Sequence, residues 1–187
     1  MRSLTENFPR PRKLVSFDMQ KIIDSVRNAL EQKNWYAALF VVLTLPDICI
    51  VLEYGKTSGK EYSQWFEHNL PQYKGFLSGD DCYALRCATL HEGRDNISRQ
   101  RMRYVLDHFI FSTSNNHRIL FKKAIINGGQ QESFLQLNVG RFCAEICDTA
   151  SQWLLGMHGN KDVMDQVSEL IVIHEPGYVY KGVVKFG

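Results

Sequence analysis

"WYAALFVVLTLPDICIVL", residues 35–52, is the longest apolar run in the chain, and its reading decides the fold. A run of this length approaches what is needed to cross a bilayer core. Pro46 and Asp47 interrupt it, however, and no positively charged bias flanks it. The expectation is therefore a buried core helix over about 35–54, with no membrane. Such a helix is apolar nearly all round, as at the centre of a bundle. Proline cannot donate to the hydrogen-bond ladder, so the helix should bend or restart at Pro46. Asp47 then stands where a carboxylate favours a new helix start.

The neighbouring segments fit a bundle around that centre. Upstream, Met19, Ile22, Ile23, Val26 and Leu30 share one face of a helix beginning near Ser16. Residues 1–15 are polar and proline-containing, with Arg10, Arg12 and Lys13, and read as a flexible arm. Downstream, "GKTSGK" (55–60) is a loop, followed by a helix over about 58–70 with Tyr62, Trp65, Phe66 and Leu70, stopped by Pro71. Ser78 and Asp81 have the spacing of a capping box, so another helix starts near Gly79 and stops at Gly93. Residues 97–105 read as helical and strongly basic.

The period then changes. "HFIFSTS" (108–114), "HRILFKKAII" (117–126) and "SFLQLN" (133–138) are rich in β-branched and aromatic residues, with turn signals at "TSNN" and "NGGQQ". They predict two or three antiparallel strands, a hairpin or small sheet inserted near 107–137. Asn138 can cap a further helix whose stripe is Val139, Phe142, Cys143, Ile146, Ala150, Trp153, Leu154 and Met157. Residues 162–173 suggest a last short helix, and "YVYKGVVKFG" (178–187) a possible strand. The expected fold is mainly α, one domain over 16–187.

Composition sets outer bounds. Hydrophobic residues are 44% and charged residues 22%, the balance of a globular protein. A net charge of +2 is too small to imply nucleic-acid binding by itself. Cys49, Cys82, Cys87, Cys143 and Cys147 contain no C-x-x-C pair and lie in apolar stretches, which predicts reduced, buried thiols in a cytoplasmic protein. The N-terminus lacks the apolar run of a signal peptide. The acids are scattered, with no metal-binding or cofactor motif, so neither a metal nor a cofactor is expected.

The chemistry concentrates in "CYALRCATLHEG" (82–93), where Arg86 and His91 sit on one capped helix among small apolar residues. On an α-helix, residues five apart are separated by about 140°. The two can then edge one groove without stacking. Arg103 and His108 repeat the same spacing, but they fall where a helix is expected to run into a strand. A buried arginine needs a partner, and Asp47 is a candidate to orient Arg86 or His91.

Taken with "LTLPDICIVLEY" and "SGKEYSQWF", "DDCYALRCATLHEG" resembles the signature of the HEPN superfamily, R-x4-6-H on a late helix of an α-helical bundle. The resemblance spans about residues 20–155. Many HEPN ribonucleases carry a polar residue, often Asn, directly after the arginine; here it is Cys87. The resemblance implies a homodimer in the bacterial cytoplasm and a metal-independent endoribonuclease, in a toxin or defence role. Arg86 would bind the scissile phosphate and His91 would act as general base or acid; imidazoles titrate near 6.5 in water, which suits either role. The dimer axis would supply a second histidine, and the product would be a 2′,3′-cyclic phosphate. Arg94, Arg99, Arg101 and Arg103 could track an RNA backbone. A non-catalytic HEPN-like module binding RNA, nucleotide or protein is the alternative, and a purely structural Arg–acid pair is a third reading.

Overall fold

The computed structural model describes residues 18–125, 129, 131–173 and two short strands at 179–180 and 184–185. The N-terminal arm and Asn127, Gly128 and Gln130 of the "NGGQQ" turn lie outside the described residues. Helix α1 (Asp18–Glu31) buries Met19, Ile23 and Val26, with Ile22 and Leu30 packed at the edge of the core.

The 35–54 segment restarts as expected. It forms α2 (Trp35–Val42) and α3 (Leu45–Tyr54), joined through Leu43 and Thr44. Pro46 falls in the first turn of α3, where a missing N–H costs least. By length and composition the segment could cross a membrane, but half of its residues are buried in the fold. Helix α4 (Gly59–Asn69) follows and buries Tyr62, Trp65 and Phe66; a 3-10 turn, Pro71–Tyr73, ends it. Helix α5 (Gly79–Cys87) packs against α4, and α6 (Val139–Gly156) closes the bundle against α1, α2 and α3. Asn138 caps α6 by accepting the Arg141 N–H at 2.8 Å. Helix α7 (Lys161–Val167) is shorter than the sequence suggests. Burial raises the thiols of Cys49, Cys82 and Cys143 well above their ordinary range and pushes Cys147 up to about 12. All five cysteines are free, and Cys87 alone is only half-buried.

Two expectations are corrected. First, the sheet is mixed rather than antiparallel. Strands β1 (His108–Ser112), β2 (Ile119–Ile125) and β3 (Gln131–Asn138) lie in the order β1-β3-β2. β3 pairs antiparallel with β2 and parallel with β1, from His108↔Phe134 to Ser112↔Asn138. β3 carries the strongest apolar set, with Phe134, Leu135 and Leu137 buried, so it takes the centre where both edges are paired. The short strands β4 (Val179–Tyr180) and β5 (Val184–Lys185) form a separate antiparallel pair.

Second, residues 97–105 form no helix. Amides at both ends of the segment are drawn across the chain, while Ser98 and Gln100 close local turns on Asn96 Oδ1 and Ile97 O. Ile97 N–H donates to Asp107 O at 2.8 Å, and the carboxylate of Asp81 accepts the N–H groups of Tyr104, Val105 and Leu106 at 2.7–3.4 Å. Asp81 is fully buried. A buried carboxylate requires such donors, and satisfying it here leaves no i→i−4 ladder for this segment.

Candidate functional site

The cap at Ser78 starts the site. Its Oγ accepts the Asp81 N–H at 3.0 Å, which fixes the first turn of α5. Gly79 allows α5 to approach α4: a Cβ there would collide with the backbone of Ser63. The helix then carries Arg86 in its last turn.

Beyond Cys87 the winding changes. Ala88–Glu92 is a π turn, closed by Gly93 in the left-handed region at φ 65°. A π turn hydrogen-bonds i→i+5, so residues five apart come near register, a device often found at functional sites. On a regular α-helix Arg86 and His91 would stand about 140° apart, able to edge one groove but not to touch. The wider turn removes that separation and brings Arg86 Nη1 to 3.1 Å from His91 Nε2. A guanidinium has no lone pair to offer. In this contact Nε2 can only be the acceptor, a role that an Nδ1–H ring fills.

Asp47 holds the arginine from the other side. Arg86 Nε donates to Asp47 Oδ2 at 2.9 Å, and Thr57 Oγ1 donates to Asp47 Oδ1 at 3.0 Å. The arginine side chain is 22% exposed, the aspartate side chain 12%, and His91 is exposed at the surface. Burial, the largest single influence, works against the arginine's charge; attraction to Asp47 and contact with Cys87 outweigh it, so the guanidinium is held above its ordinary range. The result is a relay from hydroxyl to carboxylate to guanidinium to imidazole, sheltered at one end and open at the other. With about a fifth of its side chain exposed, the guanidinium keeps an edge open to water where an incoming anion can reach it.

Thr57 was not legible as part of this relay. It lies ten residues from Asp47, and what returns it is Gly55, which ends α3 at φ 76° and reverses the chain. The basic residues divide. Arg94 lies just past the π turn and is loosely paired with Glu92 at 3.6 Å. Arg99 and Arg101 are exposed and line a cleft of about 360 Å³ with Tyr83 and Glu92. Arg103 is drawn away: its Nη1 bonds Asp107 Oδ1 at 2.5 Å and Leu106 O at 3.2 Å. The described residues hold no cluster of three or more His, Cys, Asp or Glu side chains suited to a metal ion. No family model, curated protein or solved structure matches this chain.

Proposed function

We propose that the protein is a HEPN-type endoribonuclease that cleaves RNA by attack of the ribose 2′-oxygen without a metal ion. The single observation that supports this most is the 3.1 Å contact between a surface imidazole and a guanidinium that a sheltered carboxylate holds in place. A phosphodiester entering the site would bind the exposed edge of Arg86, whose guanidinium offers planar, forked donors. Nη1 would turn from His91 to a phosphate oxygen. Nε2, released with its lone pair intact, would then accept the proton of the 2′-hydroxyl.

The chemistry balances within this arrangement. The 2′-oxygen forms a bond to phosphorus while the P–O5′ bond breaks. The 2′-proton passes to His91, and the leaving 5′-oxygen takes a proton from a second acid. In a two-fold dimer that acid would be the partner's copy of the same imidazole. The products would be a 2′,3′-cyclic phosphate and a 5′-hydroxyl. Arg86 would stabilise the charge that builds on the pentacovalent phosphorus, and Asp47 would keep the guanidinium aimed there.

The test is incubation of labelled single-stranded RNA with the wild-type protein in EDTA, beside Arg86→Ala, Arg86→Lys and His91→Ala. Cleavage by the wild type, lost in His91→Ala and in folded Arg86→Lys, is the expected result. Binding without cleavage by wild-type protein would leave the non-catalytic module as the reading.

A further inference from the structure

The π turn has a second side. Thr89 of the turn and the chain leaving it at Gly93–Asp95 border a cleft of about 720 Å³, walled opposite by α2 and the end of β1. Trp35, Tyr36, Phe40 and Phe111 line this cleft. Tyr36 is 80% exposed and Phe40 38% exposed, the former far beyond what a core-forming aromatic shows. They stand four residues apart on α2, so they present one stripe to solvent. Arg94 and Asp95 enter the same cleft from the exit of the π turn. The arginine side chain is 57% exposed and held only by Glu92 at 3.6 Å, and among the described residues the Asp95 carboxylate has no hydrogen-bond partner.

We infer that this cleft is a nucleobase subsite for single-stranded RNA, in which a base next to the scissile phosphate stacks on Tyr36 and Phe40 while its own phosphate meets Arg94. Exposed aromatics beside a cation form the usual surface for unpaired nucleotides, because every base has a stackable face and every linkage a negative charge. The volume falls in the range of small-ligand sites. Asp95 accepts hydrogen bonds only, so it favours base edges rich in N–H donors. The subsite shares the π turn with His91: Thr89, Gly93 and Arg94 belong both to the turn or its exit and to the cleft wall. A strand crossing the turn can therefore reach both.

This inference rests on the ribonuclease reading, but its test is independent of turnover. Binding of a 2′-O-methyl RNA pentamer, which has no 2′-hydroxyl to attack, is measured by fluorescence anisotropy for wild type, Tyr36→Ala, Phe40→Ala and Tyr36→Trp. Each alanine should weaken binding about five- to 150-fold, from the known range for one stacked base. Tyr36→Trp should retain it. Circular dichroism and light scattering accompany each variant. Unchanged affinity in both folded alanine variants overturns the subsite, as does a wild type that does not bind. Conversion of a dimer into a monomer with unchanged RNA affinity also overturns it, and assigns the stripe to self-association. Cleavage of ordinary RNA to cyclic-phosphate ends, scored separately, decides the ribonuclease reading in every one of these cases.

Discussion

The chain contains two arginine–histidine pairs with the same spacing, Arg86/His91 and Arg103/His108, and the fold treats them in opposite ways. The first pair rides from α5 onto the π turn, and its side chains meet at 3.1 Å. The second straddles the exit of a loop into β1, and each member finds its own acid. Arg103 binds Asp107, while His108 pairs with Glu132 at 3.0 Å and stacks on Phe134 with ring centroids 5.1 Å apart. Spacing in sequence sets only the length of the tether. The backbone winding between the two residues decides whether they can act on one atom.

Breaking the first pair should have the largest effect. His91→Gln removes the proposed base and should lower RNA cleavage about 10²–10⁴-fold, read as initial rate on a labelled oligonucleotide. The matching double variant at the second pair, Arg103→Ala with His108→Ala, should leave that rate within about twofold, because both residues are tied to structural acids. Stability should show the reverse contrast. Asp81→Ala strips a buried carboxylate from the three amides of 104–106 and should cost about 3–5 kcal/mol in urea unfolding. Asp47→Asn, at a site partly open to water, should cost about 1–2 kcal/mol yet reduce cleavage about tenfold by loosening Arg86.

A smaller effect concerns a third histidine. His117 Nδ1 accepts the Asn138 N–H at 3.2 Å, and Nε2 reaches Tyr73 Oη at 3.4 Å, which fixes the neutral ring between the sheet and α6. Burial, opposed in part by Glu145, holds its pKa below the ordinary 6.5. The unfolded chain thus binds this proton at a higher pH than the folded one. Stability should fall as pH is lowered through about 6.5 and level off once the folded ring is itself protonated. Thermal melts of wild type and His117→Gln across this range should differ in slope, with the variant flatter.

How far the sequence reached is plain from particular residues. The bundle was legible because each helix carries its own local signal: the restart at Pro46, the Ser78 cap, the Asn138 cap and the unbroken stripe from Val139 to Leu154. The candidate pair was legible as residue types on one helix. Its contact was not, because nothing in "ATLHE" marks a π turn rather than an α turn. The segment 97–105 failed for a non-local reason. Its apolar and basic pattern suits a helix, but Asp81, more than twenty residues upstream, captures the amides at its C-terminal end, and Asp107 O takes that of Ile97 at its start. The parallel pairing of β1 with β3 was equally hidden, since strand composition says that a strand pairs but not with which neighbour or in which direction.

The central claim, that the Arg86–His91 contact serves attack by a ribose 2′-oxygen, has one direct measurement. An RNA oligomer cut by wild-type protein would be resynthesised with a single 2′-deoxy residue on the 5′ side of the cut. Phosphorus NMR of the all-RNA product should show the 2′,3′-cyclic phosphate, and the deoxy-substituted oligomer should remain whole at that linkage. Scission at the deoxy linkage, or a product with a simple phosphate monoester from the outset, would contradict the account.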